Sequence, residues 1–464
     1  MRCVPSKLND EMRTELTRPY SDTEVREAVF QMCPTKAPGL DGFSALFYQR
    51  SWNLIKVKVS KQIISMINSG LLEEGVNKTL ITLIPKVKDP KTVGDYRPVS
   101  LCNVGVKIIT KMLANRLKRI LPAIISENQG AFVPGKIISD NIIAAQDLIH
   151  YIRTRSRQKI GFFALKLDIS KAYDRVEWDF LEVMLRSLGF PEEWISMVMR
   201  CTKSVSYVVR VNDLITEEIK PGRGIRQGDP LSPFIFLICS EWLNIKVKEC
   251  QEKGKLRGVK ICRGAPEITH MLFADDSVFF LRATRENAAS LKKILEEYEV
   301  LSGQKVNLCK SEIYFGRNVS EDDRRSISDI LGVRQVEIMS KYLGLPVAFG
   351  HNRIELFRDI IGRLWRKMQG WKEKSLSISG KEVLIKAVIQ AMPTYAMSCF
   401  KILDSLIKRI VSMISNYWRS NSNGGRGIHW CKYRNLCKDK MEGGVGLKDL
   451  SIFNDALLAK QIWR

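Results

Sequence analysis

Apolar and polar positions along this chain switch between two periods, and the switches mark its elements. Within 270–281, two apolar runs at 271–274 and 278–281 flank the adjacent carboxylates Asp275 and Asp276. Aspartate is depleted in strand interiors and common in turns, so the pattern predicts a hairpin with the acid pair at its bend. Residues 163–167 form another short apolar run that ends at Asp168, and a helix-like run follows it. Residues 79–84 are a further strand candidate, ending at Pro85.

Helical spacing governs other stretches. Ile109, Met112, Leu113, Leu117, Ile120 and Leu121 predict a helix over 105–121, stopped by Pro122. Lys107, Lys111 and Lys118 fall on nearly one other face of it. Residues 291–301 read as a charged amphipathic helix. Leu403, Leu406, Ile407, Ile410, Val411, Ile414, Tyr417 and Trp418 make a helical stripe. Residues 1–66 look helical, with Ser21 and Glu24 spaced as a capping box. A breaker cluster, Lys36-Ala37-Pro38-Gly39-Leu40-Asp41-Gly42, lies within them.

Charge narrows the partners. The 464 residues carry 74 Lys and Arg against 50 Asp and Glu, a net +24. That excess calls for a polyanion, either nucleic acid or an anionic membrane. No apolar run approaches the ~20 residues of a spanning helix, which disfavours the membrane. The N-terminus has no apolar signal core. Residues 361–440 alone hold 16 Lys and Arg against 4 Asp and Glu. Eleven cysteines without C-x-x-C pairs argue for a reducing compartment rather than a disulfide framework. His429, Cys431 and Cys437 are close in sequence but fit no standard zinc spacing. Length suggests about three domains.

Asp168 and Asp275 are 107 residues apart, so only tertiary structure can bring them together. If their strand ends meet, the carboxylates repel one another unless cations fill the cluster. Mg²⁺ suits such a site, since it needs one or two carboxylates plus substrate phosphates. Two ions about 4 Å apart clamp an in-line phosphoryl displacement. The plain alternative is that Asp275 caps a turn and Asp276 is solvated.

Five ordered blocks carry a resemblance. They are Tyr96-Arg97-Pro98-Val99-Ser100-Leu101, Asp168 with Tyr173-Asp174, the segment 223–233 around Gln227-Gly228, Phe273-Ala274-Asp275-Asp276, and Tyr342-Leu343-Gly344-Leu345-Pro346. Together they resemble the reverse transcriptases of non-LTR (LINE-class) retrotransposons, especially those of plant genomes. The breaker cluster resembles that family's extra N-terminal Ala-Pro-Gly-Pro-Asp-Gly motif, with Leu40 in place of the second proline. The resemblance implies an α+β right-hand polymerase with an antiparallel palm sheet, fingers and a helical thumb. It divides the chain into an N-terminal helical extension (1–66), fingers and palm (67–347) and a basic helical thumb (348–464).

The resemblance also assigns roles. Asp168, Asp275 and Asp276 would hold two Mg²⁺ or Mn²⁺ ions. Arg97, and Lys91 beside it, would contact the incoming triphosphate. Tyr173 would be the steric gate against a ribose 2′-OH. Gln227 and Gly228 would let backbone approach the nucleotide. Residues 128–132 match the template-side block. Lys310, preferred over Lys305, would protonate leaving pyrophosphate. The implied partners are an RNA template, a DNA primer or target and dNTPs, with no membrane, and the nucleus is the implied compartment. The implied reaction is RNA-directed DNA synthesis by two-metal nucleotidyl transfer. The alternatives are an RNA-dependent RNA polymerase, which Tyr173 disfavours, and a catalytically silent nucleic-acid-binding relic.

Overall fold

A computed structural model describes residues 4–73, 75–154, 161–212, 214–347, 354–372, 376–419 and 432–463. His429 and Cys431 lie outside the described residues. The chain divides into two compact units, Met1–Ile138 with Tyr151–Glu337, and Ser139–His150 with Ile338–Arg464.

The first unit begins with α1 (Asp10–Thr17), α2 (Asp22–Phe30), α3 (Ala45–Arg50) and α4 (Trp52–Ser69). The expected capping box is present at α2, where Ser21 Oγ accepts from Glu24 N and the Glu24 carboxylate accepts from Ser21 N. Strands β1 (Lys78–Pro85) and β2 (Tyr96–Cys102) follow, then α5 (Val104–Ile124). Pro122 does not stop α5. It sits in the last turn, where a single bond is lost, and Ile125 N still donates to Leu121 O at 2.9 Å.

Arg116 of α5 fastens the N-terminal helices to the rest. Its side chain is 1% exposed. It donates to the Leu16, Arg18 and Pro19 carbonyls and to both Glu24 oxygens, and lies 3.5 Å over the Tyr20 ring. Burial pushes the Glu24 carboxyl up, but the Arg116 bond and charge outweigh it, so its pKa falls below the usual range. That contribution is present above the ordinary glutamate pKa and lost as pH falls through the lowered one. Arg116→Met leaves three carbonyls and a carboxylate short of donors. The expected cost is about 3–5 kcal/mol, as for one partner removed from a buried pair. Urea unfolding followed by circular dichroism measures it, and an unchanged midpoint would show that apolar packing alone holds these helices.

Helix α6 (Ile138–Thr154) contributes residues 139–150 to the second unit. The first unit resumes with β3 (Phe162–Leu167), α7 (Trp178–Leu188), α8 (Glu192–Lys203), β4 (Ser206–Val211), β5 (Leu214–Ile215) and α9 (Ser232–Glu252). It ends with β6 (His270–Phe273), β7 (Asp276–Arg282), α10 (Arg285–Ser302), β8 (Glu312–Phe315), α11 (Glu321–Leu331) and β9 (Arg334–Gln335). One sheet has the order β2-β1-β4-β5, the other β6-β7-β3-β8-β9. Pairing is antiparallel except at β1–β4 and β8–β9.

Strand alternation sorts β3 by face. Phe163, Leu165 and Leu167 join the core with Phe236 and Trp242 of α9. Lys166 and, past the strand end, Asp168 therefore belong to the opposite face. Cross-strand register gives β7 the same sorting, with Phe279 and Leu281 in the core and Asp276 on the face of Asp168. The helix-like run expected directly after Asp168 is a series of turns instead. Lys171 has φ +50°, a left-handed value that breaks helical continuation, and α7 starts only at Trp178.

The second unit has a short hairpin, β10 (Lys341–Tyr342) and β11 (Leu345–Pro346), turned by Leu343 and Gly344, both at positive φ. Helices α12 (Ile354–Lys372), α13 (Ile378–Leu384), α14 (Thr394–Cys399), α15 (Asp404–Arg419), α16 (Tyr433–Leu436) and α17 (Leu450–Ile462) follow. Of the stripe expected in α15, Leu406, Ile407, Ile410, Ile414 and Tyr417 are buried, Val411 and Trp418 are half-buried, and Leu403 is exposed just before the helix. Asn454, fully buried, ties α17 to α14: Oδ1 accepts from Ile402 N at 2.8 Å and Nδ2 donates to Met397 O at 2.7 Å. Among the described residues no helix is long and apolar enough to cross a membrane.

Candidate active site

The hairpin read from 270–281 forms as expected, with Phe273 paired to Asp276 and Ala274-Asp275 as a two-residue turn. Ala274 has φ +55° and Asp275 a negative φ. A positive φ at the first central residue is what the primed turns that suit a hairpin's twist require. Asp275 is thereby exposed at the tip, while Asp276 is half-buried at the start of β7.

Register brings Asp168 to the same place. Leu167 pairs with Ser277, so Asp168 and Asp276 follow one another off adjacent strand ends. The loop after α10 grips the strand end that bears Asp168. Asn307 N donates to Asp168 O at 2.7 Å, Asp168 N donates to Ser311 Oγ at 3.2 Å, and Ser170 N donates to Lys305 O at 2.8 Å. The Asp276 carboxyl titrates above its ordinary value. Burial is the main cause, Asp275 and Asp168 add to it, and Lys166 opposes it. The three acids thus make one negative locus. Among the described residues no group of three or more His, Cys, Asp or Glu side chains is arranged to hold a metal by itself. An open pair of carboxylates completed by phosphate oxygens and water still matches what Mg²⁺ takes.

Beside this locus lies a cleft of about 890 Å³. Lys36, Lys86, Arg97, Lys107, Lys111 and Lys171 line it, against Asp174, Asp229 and Asp275. Six cations to three carboxylates favour a polyanionic occupant. Burial, with Lys118 nearby, lowers the pKa of Lys111. Asp168 and Asp276 are not among the lining residues.

Three of the segments that wall the cleft are sewn together by backbone bonds. Ser100 N donates to Gln227 O at 2.9 Å, Gly224 N to Val176 O at 2.8 Å, and Ile225 N to Tyr173 O at 2.9 Å. Trp178 Nε1 adds a bond to Gly224 O at 2.8 Å, and Gln227 Nε2 one to Asp174 Oδ1 at 3.2 Å. Gly228 sits at φ +117°, and a Cβ there would stand 3.1 Å from Ser100 O, so the close approach requires glycine. Tyr173 stacks on Phe236 at 5.1 Å with an interplanar angle of 7°, and its ring lines the cleft. Burial, then the Asp275 charge, pushes its hydroxyl pKa up.

Beneath β6 runs a buried polar chain. His270 Nε2 meets Asn244 Oδ1 at 2.7 Å, Asn244 Nδ2 donates to Glu241 Oε2 at 2.9 Å, and Lys7 Nζ pairs with Glu241 Oε1 at 2.7 Å. Burial pushes His270 down to about 4, so the ring is neutral and its Nε2–H donates to Asn244.

The structure therefore gathers Asp168, Asp275 and Asp276 at one locus, and Arg97, Tyr173, Gln227 and Gly228 with Asp275 around one cleft. It does not bring Lys91 or Lys310 to the lining. Lys91 N donates to Asp95 Oδ2 in an exposed turn, and Lys310 is exposed on the loop behind Asp168. Lys86, eleven residues before Arg97, takes a lining place instead. Lys36 and Lys171 were not legible as site residues. Each is one cation in a polar loop, and no period links them. Arg97 was marked by its sequence block, and Lys107 and Lys111 by their i, i+4 spacing.

Residues 84–347 match the family model described as reverse transcriptase (RNA-dependent DNA polymerase). The chain is 26% identical over 449 residues to a Xenopus laevis protein named transposon TX1 uncharacterized 149 kDa protein, covering 95% of this chain and 33% of that one. It is 29% identical over 298 residues to the retrovirus-related Pol polyprotein of a type-1 retrotransposable element R2 from Nasonia vitripennis, covering 63% and 27%. A segment of 59 residues is 48% identical to an uncharacterized mitochondrial protein of Arabidopsis thaliana, covering 13% and 48%. The chain thus spans about a third or less of the two longer relatives. With the matched segment covering more than half of the chain, the protein belongs to the reverse transcriptase family, the RNA-dependent DNA polymerases.

Proposed function

We propose that this chain is the RNA-directed DNA polymerase portion of a non-LTR retrotransposon protein of plant type. The observation that carries the reading is the meeting of Asp168 and Asp276 on adjacent strand ends, with Asp275 turned into a cleft ringed by six cations. The higher identity to the short Arabidopsis segment than to the animal proteins supports the plant type. In right-hand terms, β6-β7-β3-β8-β9 is the palm sheet and β1-β2 belongs to the fingers. The basic helices of 348–464 are the thumb, and 1–66 is an N-terminal extension.

Each group then has a task. Asp168 and Asp275 would hold the metal, and Asp276 would complete their negative field. Bound Mg²⁺ would supply charge neutralisation at the attacking and leaving oxygens. Arg97, with Lys86 beside it, holds the triphosphate. Lys107 and Lys111 face phosphate of substrate or template. Tyr173, Gln227 and Gly228 shape the sugar and base side. Lys91 and Lys310, on loops outside the cleft lining, are assigned triphosphate and pyrophosphate contact by resemblance alone. The partners are an RNA template, a DNA primer and dNTPs. The direct test is extension of a DNA primer on an RNA template by the purified chain with dNTPs and Mg²⁺ or Mn²⁺. Template-dependent incorporation is expected, and duplex binding without incorporation would leave a silent nucleic-acid-binding relic.

A further inference from the structure

Gln129 is fully buried beside the strand that leads to the acid pair. Its backbone neighbours lie along β6, with Leu272 N donating to Asn128 O at 2.8 Å and Gly130 N to Leu272 O at 2.8 Å. Its side chain then reaches past the strand end. Gln129 Oε1 accepts from Ala274 N at 3.0 Å and from Ala131 N at 3.0 Å. At the other end of β6, Asn128 Nδ2 donates to His270 O at 2.8 Å. Two consecutive side chains thus hold both ends of this strand.

The Ala274 amide needs that acceptor. The hairpin ladder pairs Phe273 with Asp276 and leaves the turn residues outside it. Ala274 is also held at φ +55°, a conformation that a Cβ disfavours. Nothing in the alanine side chain compensates. Packing alone does not call for an amide at position 129 either. Gln129 Nε2 has no hydrogen-bond partner among the described residues, and an apolar side chain of similar size would fill the space without burying an unpaired donor. What the glutamine supplies is its oxygen. The block 128–132, assigned to the template side by resemblance, here faces the turn through this residue.

We propose that Gln129 is a positioning residue for Asp275. By fixing the Ala274 amide it holds the left-handed backbone that presents the next residue's carboxylate to the cleft. This rests on the polymerase reading above for its kinetic arm, but not for its structural arm.

Gln129→Met keeps the bulk and removes the acceptor. In single-nucleotide addition on an RNA template with a DNA primer and Mg²⁺, kcat should fall about 10- to 100-fold, the scale of a slightly misplaced catalytic group. The KM for dNTP and the affinity for primer–template should stay within about twofold, since no contact to either is removed. Deuterium uptake of peptides covering 270–276 should rise, whether or not substrate is present. Adding Ala274→Gly to Gln129→Met should restore part of kcat, because glycine takes a positive φ without the Cβ penalty. Unchanged kcat in an active protein, or unchanged uptake at 270–276, overturns the proposal. So does a parallel loss of kcat and duplex binding that glycine does not rescue, which assigns Gln129 to the core. An inactive wild type removes the polymerase reading, and the exchange measurement still decides the tether. If Gln129→Met does not fold, Gln129→Asn, shorter by one methylene, carries the same measurements.

Discussion

Asp275→Asn should reduce nucleotide incorporation by on the order of 10³-fold or more, equivalent to ~4 kcal/mol of transition-state stabilisation. Asp168→Asn should do the same. Asparagine has nearly the shape of aspartate but is neutral, so the change removes charge and little else. No hydrogen bond holds the Asp275 side chain among the described residues, and it stands exposed at the hairpin tip, so folding should not depend on it. Asp168 is held through its backbone, by Asn307 and Ser311, and those bonds survive the substitution. Both variants should therefore melt like the wild type and bind an RNA–DNA duplex with similar affinity. Activity is read by single-turnover primer extension in Mg²⁺ and binding by fluorescence anisotropy. Wild-type rates in both variants would sink the assignment of the acid locus to catalysis.

Part of this site is legible in the amino-acid sequence, for a local reason. The hairpin at 270–281 carries its own instructions: two apolar runs, a bend that tolerates aspartate, and a register that a two-residue turn fixes. The capping box at Ser21 and Glu24 is equally local. Where the structure departs from the sequence pattern, the cause is usually an interaction from far along the chain. The turns after Asp168 depend on a left-handed Lys171, with the segment pinned by Ile225 and Gly224 some fifty residues on. Lys86 rather than Lys91 lines the cleft because register with β2 fixes where β1 ends, and the loop beyond it then caps itself on Asp95. The Gln129 contact to Ala274 spans 145 residues. Burial of a glutamine is not something its neighbours in sequence reveal.

The sugar offers the second large effect. Tyr173 does not stand on a helix, so its aim is not set by helical spacing from Asp168. It is set by the Phe236 ring, stacked flat behind it, and by Ile225 N bonded to its carbonyl. One face of the tyrosine is thus fixed against α9 while the ring lines the cleft with Gln227, Gly228 and Asp275. A 2′-OH directed at that ring meets aromatic carbon and loses water without gaining a partner. Burying an unpaired hydroxyl costs about 1–3 kcal/mol. That is roughly ten- to hundredfold in kcat/KM, before any steric contribution. Tyr173→Ala should therefore lower the dNTP-over-rNTP preference by about that factor, with dNTP use reduced less than rNTP use is raised. Tyr173→Phe should keep the preference, since the ring and not the hydroxyl fills the space. Losing the stack on Phe236 also costs about 0.5–1.5 kcal/mol of stability. The ratio of the two kcat/KM values is insensitive to that loss, because both substrates are measured on the same folded fraction. A wild type with no sugar preference, or an alanine variant that keeps the wild-type ratio, would make Tyr173 a core residue and return weight to an RNA-polymerase reading.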